Sequence, residues 1–325
     1  MTSQGPAPKD ILFIKPGSMG DVIHALPCAV AIKNRWPDAK LTWLIDDRWQ
    51  PLLGGLSSLD AAVVFPRQKF RGLLGILKSL SWIASLSRLS PDLVLDLQGL
   101  LRSALMARFS GGKRIVGLSD AREGATGFYH QVAPVGEPCH AVTRYLRALP
   151  TLGVPVPKTP EFPLPIGTEP EGTPAEPYVL LHPYSRGAGK SLSPDHVAEF
   201  CKALPHRTVL IVGGGIAPDP LPSNARSLLN RTSLDELIWL TRRADFVVSV
   251  DSGPMHIAAA LTDRLLSIHT WSDPGLVGPY NPKAHIWKDG QIFAQDFTVG
   301  REASDRTPTS EDIQSMAAWV DGQLT

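Results

Sequence analysis

Short apolar, β-branched runs with no polar alternation recur along this chain, and helical patterns fill the spaces between them. Ile11–Ile14, Leu41–Ile45, Ala61–Phe65 and Leu93–Leu97 form one series. Tyr178–His182, Thr208–Val212, Phe246–Val250 and Leu265–His269 form a second, with helical patterns near 194–204, 233–243 and 254–261. Strands covered on both faces by crossover helices lose the alternation of half-exposed strands, so the spacing predicts an α/β chain with two parallel sheets. Eight prolines between Val154 and Pro177 separate the two series. Such a stretch cannot be regular helix or central strand and reads as an interdomain linker. The length of 325 residues suits two domains.

Composition narrows the class. Hydrophobic residues at 43% and charged residues at 19% exclude a disordered chain, and a net charge of +1 excludes a globally basic nucleic-acid coat, so no nucleic-acid partner is expected. Cys28, Cys139 and Cys201 are far apart and odd in number, so neither a zinc spacing nor a disulfide framework follows. The first ten residues are polar and lack the apolar core of a signal peptide, and no stretch approaches a spanning helix, which predicts a cytoplasmic protein. The charge is unevenly spread: residues 1–165 hold 19 Lys and Arg against 12 Asp and Glu, a net +7, and residues 166–325 hold 13 against 19, a net −6. A positive half raises the local concentration of anionic ligands, although a solvated surface gives the same count.

Ligands of open α/β sheets bind beyond the carboxyl ends of the strands, and two such domains facing each other make a cleft. After the first run comes Lys15-Pro16-Gly17-Ser18-Met19-Gly20-Asp21, a glycine-bearing turn entering a helix. Its glycines are spaced neither as in a Walker A loop nor as in the dinucleotide fingerprint. Asp21 is either a base facing substrate or a complement to the helix dipole. In the second series Asp251-Ser252-Gly253-Pro254-Met255-His256 is again strand, tight turn, helix. Pro254 suits the first helical position, Ser252 or Gly253 can cap it, and the free amides that follow suit a phosphate. His256 is a donor to phosphate or a structural histidine. His182 to Lys190 is a basic loop whose Arg186 and Lys190 can neutralise a diphosphate. Gly213-Gly214-Gly215 permits a further close backbone approach.

Between Asp60 and Asp92 there is no acidic residue. On one helix Arg67, Arg71, Lys78, Ser81, Ser85 and Arg88 share a face, and Leu73, Ile76, Leu77, Leu80 and Ile83 share another. This helix either packs its apolar side on the first sheet or meets an anionic acceptor at a bilayer surface with Arg67, Lys69 and Arg71; the two can hold together. Arg102 and Arg144 are candidates for the same contact.

Taken together, these segments resemble the bacterial lipopolysaccharide heptosyltransferases of glycosyltransferase family 9. The carriers are Ser18 to Pro27, Asp96-Leu97-Gln98-Gly99-Leu100-Leu101-Arg102-Ser103, His140-Ala141-Val142 with Arg144, Val248 to Gly253 through His256, and Ser272-Asp273-Pro274-Gly275. The resemblance covers most of the chain, and the first motif is most similar to the enzymes that add the first heptose to Kdo-lipid A. It implies a GT-B fold of two Rossmann-like domains facing across a cleft. The boundaries expected are 1–157 for an acceptor-binding domain, 158–177 for the linker and 178–325 for a nucleotide-sugar-binding domain, with the last helix a candidate to pack back on the N-terminal domain.

The activity implied is inverting transfer of heptose from ADP-heptose to the inner core at the cytoplasmic face of the inner membrane. Asp21 is implied as general base, and Lys190 and His256 as stabilisers of departing ADP. Tyr184, Ser185, Thr232, Ser233, Leu234, Asp251, Ser252, Gly253 and Pro254 are implied for the donor. Ser18, Met19, Gly20 and Gln98, with the basic residues named above, are the acceptor candidates. No Asp-x-Asp metal motif stands in a suitable loop, so metal-independent transfer without a cofactor is expected. Two departures stand out. Lys190 lies one residue further from His182 than the family pattern, and His269-Thr270-Trp271-Ser272 replaces a usual Gly-Pro pair. Alternatives are a family 9 enzyme with another nucleotide sugar or a later acceptor, a nucleotide-sugar epimerase, and a non-catalytic nucleotide-sugar-binding protein.

Overall fold

The structure, a computed structural model, describes residues 6–70, 72–187, 189–301 and 306–325, without the side chains at 68 and 72–77. The chain divides into two compact units, Met1–Pro163 and Leu164–Thr325.

The first unit is a six-stranded, wholly parallel sheet of β1 (Asp10–Ile14), β2 (Lys40–Asp46), β3 (Ala61–Phe65), β4 (Leu93–Asp96), β5 (Arg114–Leu118) and β6 (Gln131–Ala133). Its order is β3-β2-β1-β4-β5-β6, so the strand sequence reverses between β1 and β4. The helices are α1 (Met19–Arg35), α2 (Gly72–Ser85), α3 (Leu101–Phe109), α4 (Ala141–Leu146) and α5 (Leu149–Leu152). Ile11, Phe13, Leu41, Trp43 and Leu95 are buried without polar alternation, as strands covered on both faces require.

The stretch expected as one helix from 67 to 88 is divided into a 3₁₀ turn at Arg67–Phe70, α2, and a second 3₁₀ turn at Leu86–Arg88. Its inward face also differs from the expectation. Trp82 packs on Phe65 and Phe70 at ring separations of 5.3 and 5.9 Å, whereas Leu80 is 58% exposed. Two positions apart on a helix are about 200° apart, so burying the larger indole turns Leu80 outward. Arg71 lies outside the described residues, as do the side chains of Leu73, Ile76 and Leu77.

The second unit repeats the plan with β7 (Tyr178–His182), β8 (Thr208–Ile211), β9 (Ala225–Ser227), β10 (Phe246–Val250), β11 (Leu265–Ile268), β12 (His285–Lys288) and β13 (Gln291–Ala294). The order is β13-β12-β11-β10-β7-β8-β9, with the reversal between β7 and β10. One strand departs from the expected parallel sheet: β13 runs antiparallel to β12. Asp289 and Gly290 join them at φ of 56° and 81°, the left-handed pair of a two-residue hairpin.

The helices of this unit are α6 (Pro194–Lys202), α7 (Leu234–Arg243), α8 (Gly253–Leu261), α9 (Pro274–Val277) and α10 (Ser310–Gly322). α10 packs within the second unit. Its Ile313, Met316, Ala317 and Val320 are buried with Phe200, Val197 and Trp287 in the core of the second unit. Residues 164–168 of the Pro-rich segment lie against α7. Arg242 donates to the carbonyls of Leu164 and Pro165, Thr168 donates to Asp235 at 2.6 Å, and a Cβ on Gly167 would stand 2.5 Å from the Asp235 carbonyl oxygen.

Candidate active site

In the first sheet the residues leaving β1 and β4 meet at the reversal of strand order, where open α/β sheets bind ligands. Ile14 is in register with Asp96, so Lys15 and Leu97 emerge side by side, and the Lys15 ammonium donates to the Leu97 carbonyl at 3.2 Å. Lys15 is 2% exposed, and its Nζ lies 3.6 Å from Oδ1 of Asp21. Asp21, in the first turn of α1, accepts the Ser18 N–H and the Ser18 hydroxyl on Oδ2, both at 2.9 Å. Its Oδ1 accepts the Tyr145 hydroxyl at 2.8 Å. Burial by itself raises the Asp21 pKa, but the Lys15 charge and the hydrogen bonds from Tyr145 and Ser18 outweigh it and hold the group below its ordinary value. With 36% of its side chain exposed, Asp21 is an ionised carboxylate that solvent reaches.

The other candidates of this unit divide. Ser18 caps α1, and Met19 and Gly20 open it. Gln98 donates its backbone N–H to Asp96 at 2.9 Å, and its side-chain Oε1 is buried with no hydrogen-bond partner. Arg102 lies 5.6 Å from the centre of the Phe65 ring, and burial followed by the neighbouring Arg67 charge lowers its pKa, so two guanidinium groups converge beyond β3 and β4. Arg67 and Lys69 are exposed. Arg144 is instead taken up by Asp120 through a two-pronged contact at 2.5 and 2.6 Å. The space at Gly17 is filled by protein: a Cβ there would stand 2.9 Å from Nε1 of Trp49.

In the second sheet His182 ends β7 in register with Ser249 of β10, and the Ser252 hydroxyl lies 3.3 Å from Nδ1 of His182. Ser252 is the N-cap residue of α8, but its hydroxyl donates to the Val250 carbonyl at 3.0 Å rather than capping the helix. Gly253 opens the helix and Pro254 follows it, one position later than the sequence suggested. His256 is buried in the first turns of α8. Asp251, also buried, pairs with Lys190 Nζ at 2.6 Å. Its pKa is raised by burial and lowered further by His269, Lys190 and Ser272, so it remains ionised. The Lys190 ammonium also lies 4.4 Å from the centre of the Trp271 ring, and that indole is 44% exposed. Ser185 donates to the Asp251 carbonyl at 3.1 Å.

Tyr184 and Ser233 are engaged within the protein, and Thr232 and Leu234 flank Ser233. The Tyr184 hydroxyl donates to Ile216 O at 2.5 Å, Ser233 forms a capping box with Glu236, and Leu234 is the first residue of α7, directly after Thr232 and Ser233. The glycine triplet makes room for side chains of the protein itself: a Cβ on Gly213 or Gly215 would fall 2.6 Å from His182 or 2.2 Å from Tyr184. Among the described residues no group of three or more His, Cys, Asp or Glu gathers as a metal site, and no helix is long and apolar enough to cross a membrane.

Lys15, Tyr145 and Trp271 were missed as site residues. Lys15 is the first residue beyond β1, Tyr145 adjoins Arg144, and Trp271 occupies the segment that departs from the family pattern.

A model of glycosyltransferase family 9 (heptosyltransferase) matches residues 80–298. Lipopolysaccharide heptosyltransferase 1 of Pseudomonas aeruginosa is 28% identical over 298 residues, covering 86% of this chain and 84% of the relative. The protein of the same name from Escherichia coli K12 is 28% identical over 302 residues, with 83% and 90% covered. The solved structure of E. coli heptosyltransferase WaaC with ADP superposes with a TM-score of 0.77 at 22% identity, covering 96% of this chain and 99% of that one. The two doubly wound sheets are those of the GT-B class of glycosyltransferases. Within that class the chain belongs to glycosyltransferase family 9, the heptosyltransferase family.

Proposed function

We propose that the protein transfers heptose from ADP-heptose to Kdo-lipid A of the lipopolysaccharide inner core, with inversion and without a metal ion. One observation carries this reading: each sheet of a family 9 chain gathers its polar residues at the reversal of its strands, an ionised Asp21 in the first and the Lys190–Asp251 pair beside the start of α8 in the second. Asp21 is the general base. A carboxylate is a weak base toward an alcohol, so the acceptor proton moves to it only as the anomeric carbon becomes electron-poor. The acceptor oxygen bonds to that carbon from the face opposite the diphosphate, the bond to the phosphate oxygen breaks, and ADP leaves with the electron pair.

On the donor side, the start of α8 and Ser252 to Pro254 face the diphosphate, Lys190 and His256 offset the charge growing on ADP, and Asp251 contacts the heptose. Tyr184 and Ser185 lie along the phosphates, and Thr232 to Leu234 border the adenine. Fixed donors of this kind do the work of a divalent ion. Arg67, Lys69, Arg102 and Gln98 meet the anionic acceptor, and the exposed basic residues hold the enzyme to the cytoplasmic face of the membrane, each contributing about 1 kcal/mol near anionic lipid.

Mass spectrometry of the lipid formed from ADP-heptose and Kdo-lipid A tests the reading, with added heptose expected alongside stoichiometric ADP in the presence of a chelator. Asp21→Ala is expected to keep ADP binding and lose about 10²- to 10⁴-fold in transfer rate. Wild-type turnover in that variant removes Asp21 from the chemistry.

A further inference from the structure

Both oxygens of the Asp21 carboxylate are engaged, and unequally. An ionised carboxylate offers about four lone-pair sites, two per oxygen. Oδ2 accepts two hydrogen bonds from one residue, the N–H and the hydroxyl of Ser18, both at 2.9 Å. Oδ1 accepts one, from the Tyr145 hydroxyl at 2.8 Å, while Lys15 at 3.6 Å is beyond hydrogen-bond distance and acts as a charge. Among the described residues these leave one lone-pair site, and it is on Oδ1.

Tyr145 is itself firmly placed. It is 2% exposed, on α4 against α1, with Lys15 Nζ at 4.8 Å and the Arg144 guanidinium at 5.2 Å from its ring centre. Cations on its ring keep the phenol body fixed while its hydroxyl points at the carboxylate. The charged and titratable groups around Asp21 are Lys15 from the loop after β1 and Arg144 and Tyr145 from α4. Asp96 and Asp120 face those two cations, and Cys28 on α1 faces Tyr145. His24 on α1 and His140 at the start of α4 bring their rings together at 5.4 Å on the same helix pair.

We propose that Tyr145 is a positioning residue for the base: with Ser18 it fills three of the four acceptor sites of Asp21, so that only Oδ1 can receive the proton of the incoming hydroxyl. The inference rests on the reading of Asp21 as base. It explains why a half-exposed carboxylate at a helix start carries a buried phenol from another helix, which the capping of α1 does not require.

The test compares Tyr145→Phe, Ser18→Ala, Asp21→Asn and the wild-type chain in ADP release from ADP-heptose with Kdo-lipid A. Tyr145→Phe keeps the ring and its packing. Loss of one donor to the charged form raises the pKa of the base, so the acid limb of the kcat/KM profile is expected to move up by about one pH unit. The plateau kcat is expected to fall about three- to tenfold as a second site on Oδ1 opens, with ADP affinity and melting temperature unchanged. Ser18→Ala, which frees one site on Oδ2, is expected to shift the limb in the same direction and by less. Profiles of Tyr145→Phe and Ser18→Ala that superimpose on wild type overturn the proposal, as does an equal loss of ADP binding, which marks a general structural effect. Turnover retained in Asp21→Asn instead removes the base reading itself, whatever the other two variants do.

Discussion

Lys190 is held from two sides. Asp251 takes its ammonium at 2.6 Å, and the Trp271 face lies against it at 4.4 Å from the ring centre. Behind Asp251 stands a buried chain: Ser272 reaches the carboxylate, His269 Nδ1 lies 2.9 Å from the Ser272 hydroxyl, and His269 Nε2 lies 3.0 Å from that of Ser267. On the proposed function, a lysine held in this way meets the diphosphate without first being ordered from solvent, which lowers the entropic cost of binding. A cation over an exposed ring contributes about 0.5 to 1 kcal/mol, so Trp271→Leu is expected to weaken ADP binding by about two- to fivefold in calorimetric titration, and Trp271→Phe to restore most of it. Lys190→Ala is expected to cost more than either. Equal affinities in all three variants would detach the segment after β11 from the donor site. At this scale the sequence was partly legible. Asp251 stands directly beyond β10, Asp21 in the helix start that follows β1 and Lys190 in the loop that follows β7, places where a carboxylate or lysine has few structural uses. Tyr145 and Trp271 were hidden because an aromatic residue in a helix or a loop reads first as packing, and only three-dimensional contact shows which polar atom its hydroxyl or ring face meets.

Elements place these side chains, and glycines set how closely the elements approach. β5 carries Gly117 in register with Asp96, the last residue of β4. The Tyr129 ring lies over that glycine: an added Cβ would fall 2.1 Å from its Cε2. The Tyr129 hydroxyl donates to Asp96 at 2.9 Å, and Asp96 also accepts Ser103 at 2.8 Å and the N–H groups of Gln98 and Gly99. Asp96 is fully buried, and burial raises its pKa although each of those donors lowers it. Gly117→Ala is therefore expected to displace Tyr129, to leave a buried carboxyl short of a donor and to destabilise the protein by about 1 to 3 kcal/mol. Urea unfolding measures this directly, and a midpoint within error of wild type would show that the ring moves freely. Most strands longer than three residues were legible because a run of apolar β-branched residues is distinctive. β6 and β9, of three residues each, carry too few positions for a pattern. The β12–β13 hairpin carried a signal, Asp289-Gly290, which an emphasis on parallel units passed over. The facing of α2 was misjudged because counting apolar positions weighs Leu80 and Trp82 alike, whereas the buried area of an indole decides the rotation.

Across the molecule the two units share a plan, and in the second unit buried imidazoles couple stability to protons. In the second unit His182 and His269 are buried at the carboxyl ends of β7 and β11, and burial lowers both pKa values from 6.5 to about 4. His285, at the start of β12, is shifted in the same direction by burial. At His182 and His269 an unfolded chain binds protons below pH 6.5 while the folded unit does not until near pH 4. Unfolding therefore takes up protons across that window, and stability rises with pH through it. The contribution is present in full above pH 6.5 and is lost as the pH falls toward 4, on the order of a few kcal/mol in total. Three carboxylates of the first unit respond at lower pH: Asp60 and Asp21 have lowered pKa values and Asp92 is lowered to about 2, so what they contribute is lost only below the ordinary carboxylate range. Hydrogen exchange at pH 7.0 and about pH 5, corrected for the intrinsic exchange rate, is expected to show β7, β10 and β11 losing protection while β1, β2 and β4 keep theirs. ADP binding should weaken over the same interval, because His182 and His269 support Ser252 and, through Ser272, Asp251. Uniform protection in both sheets at the two pH values would mean that the buried imidazoles are protonated in place, with the surrounding hydroxyls turning to accept.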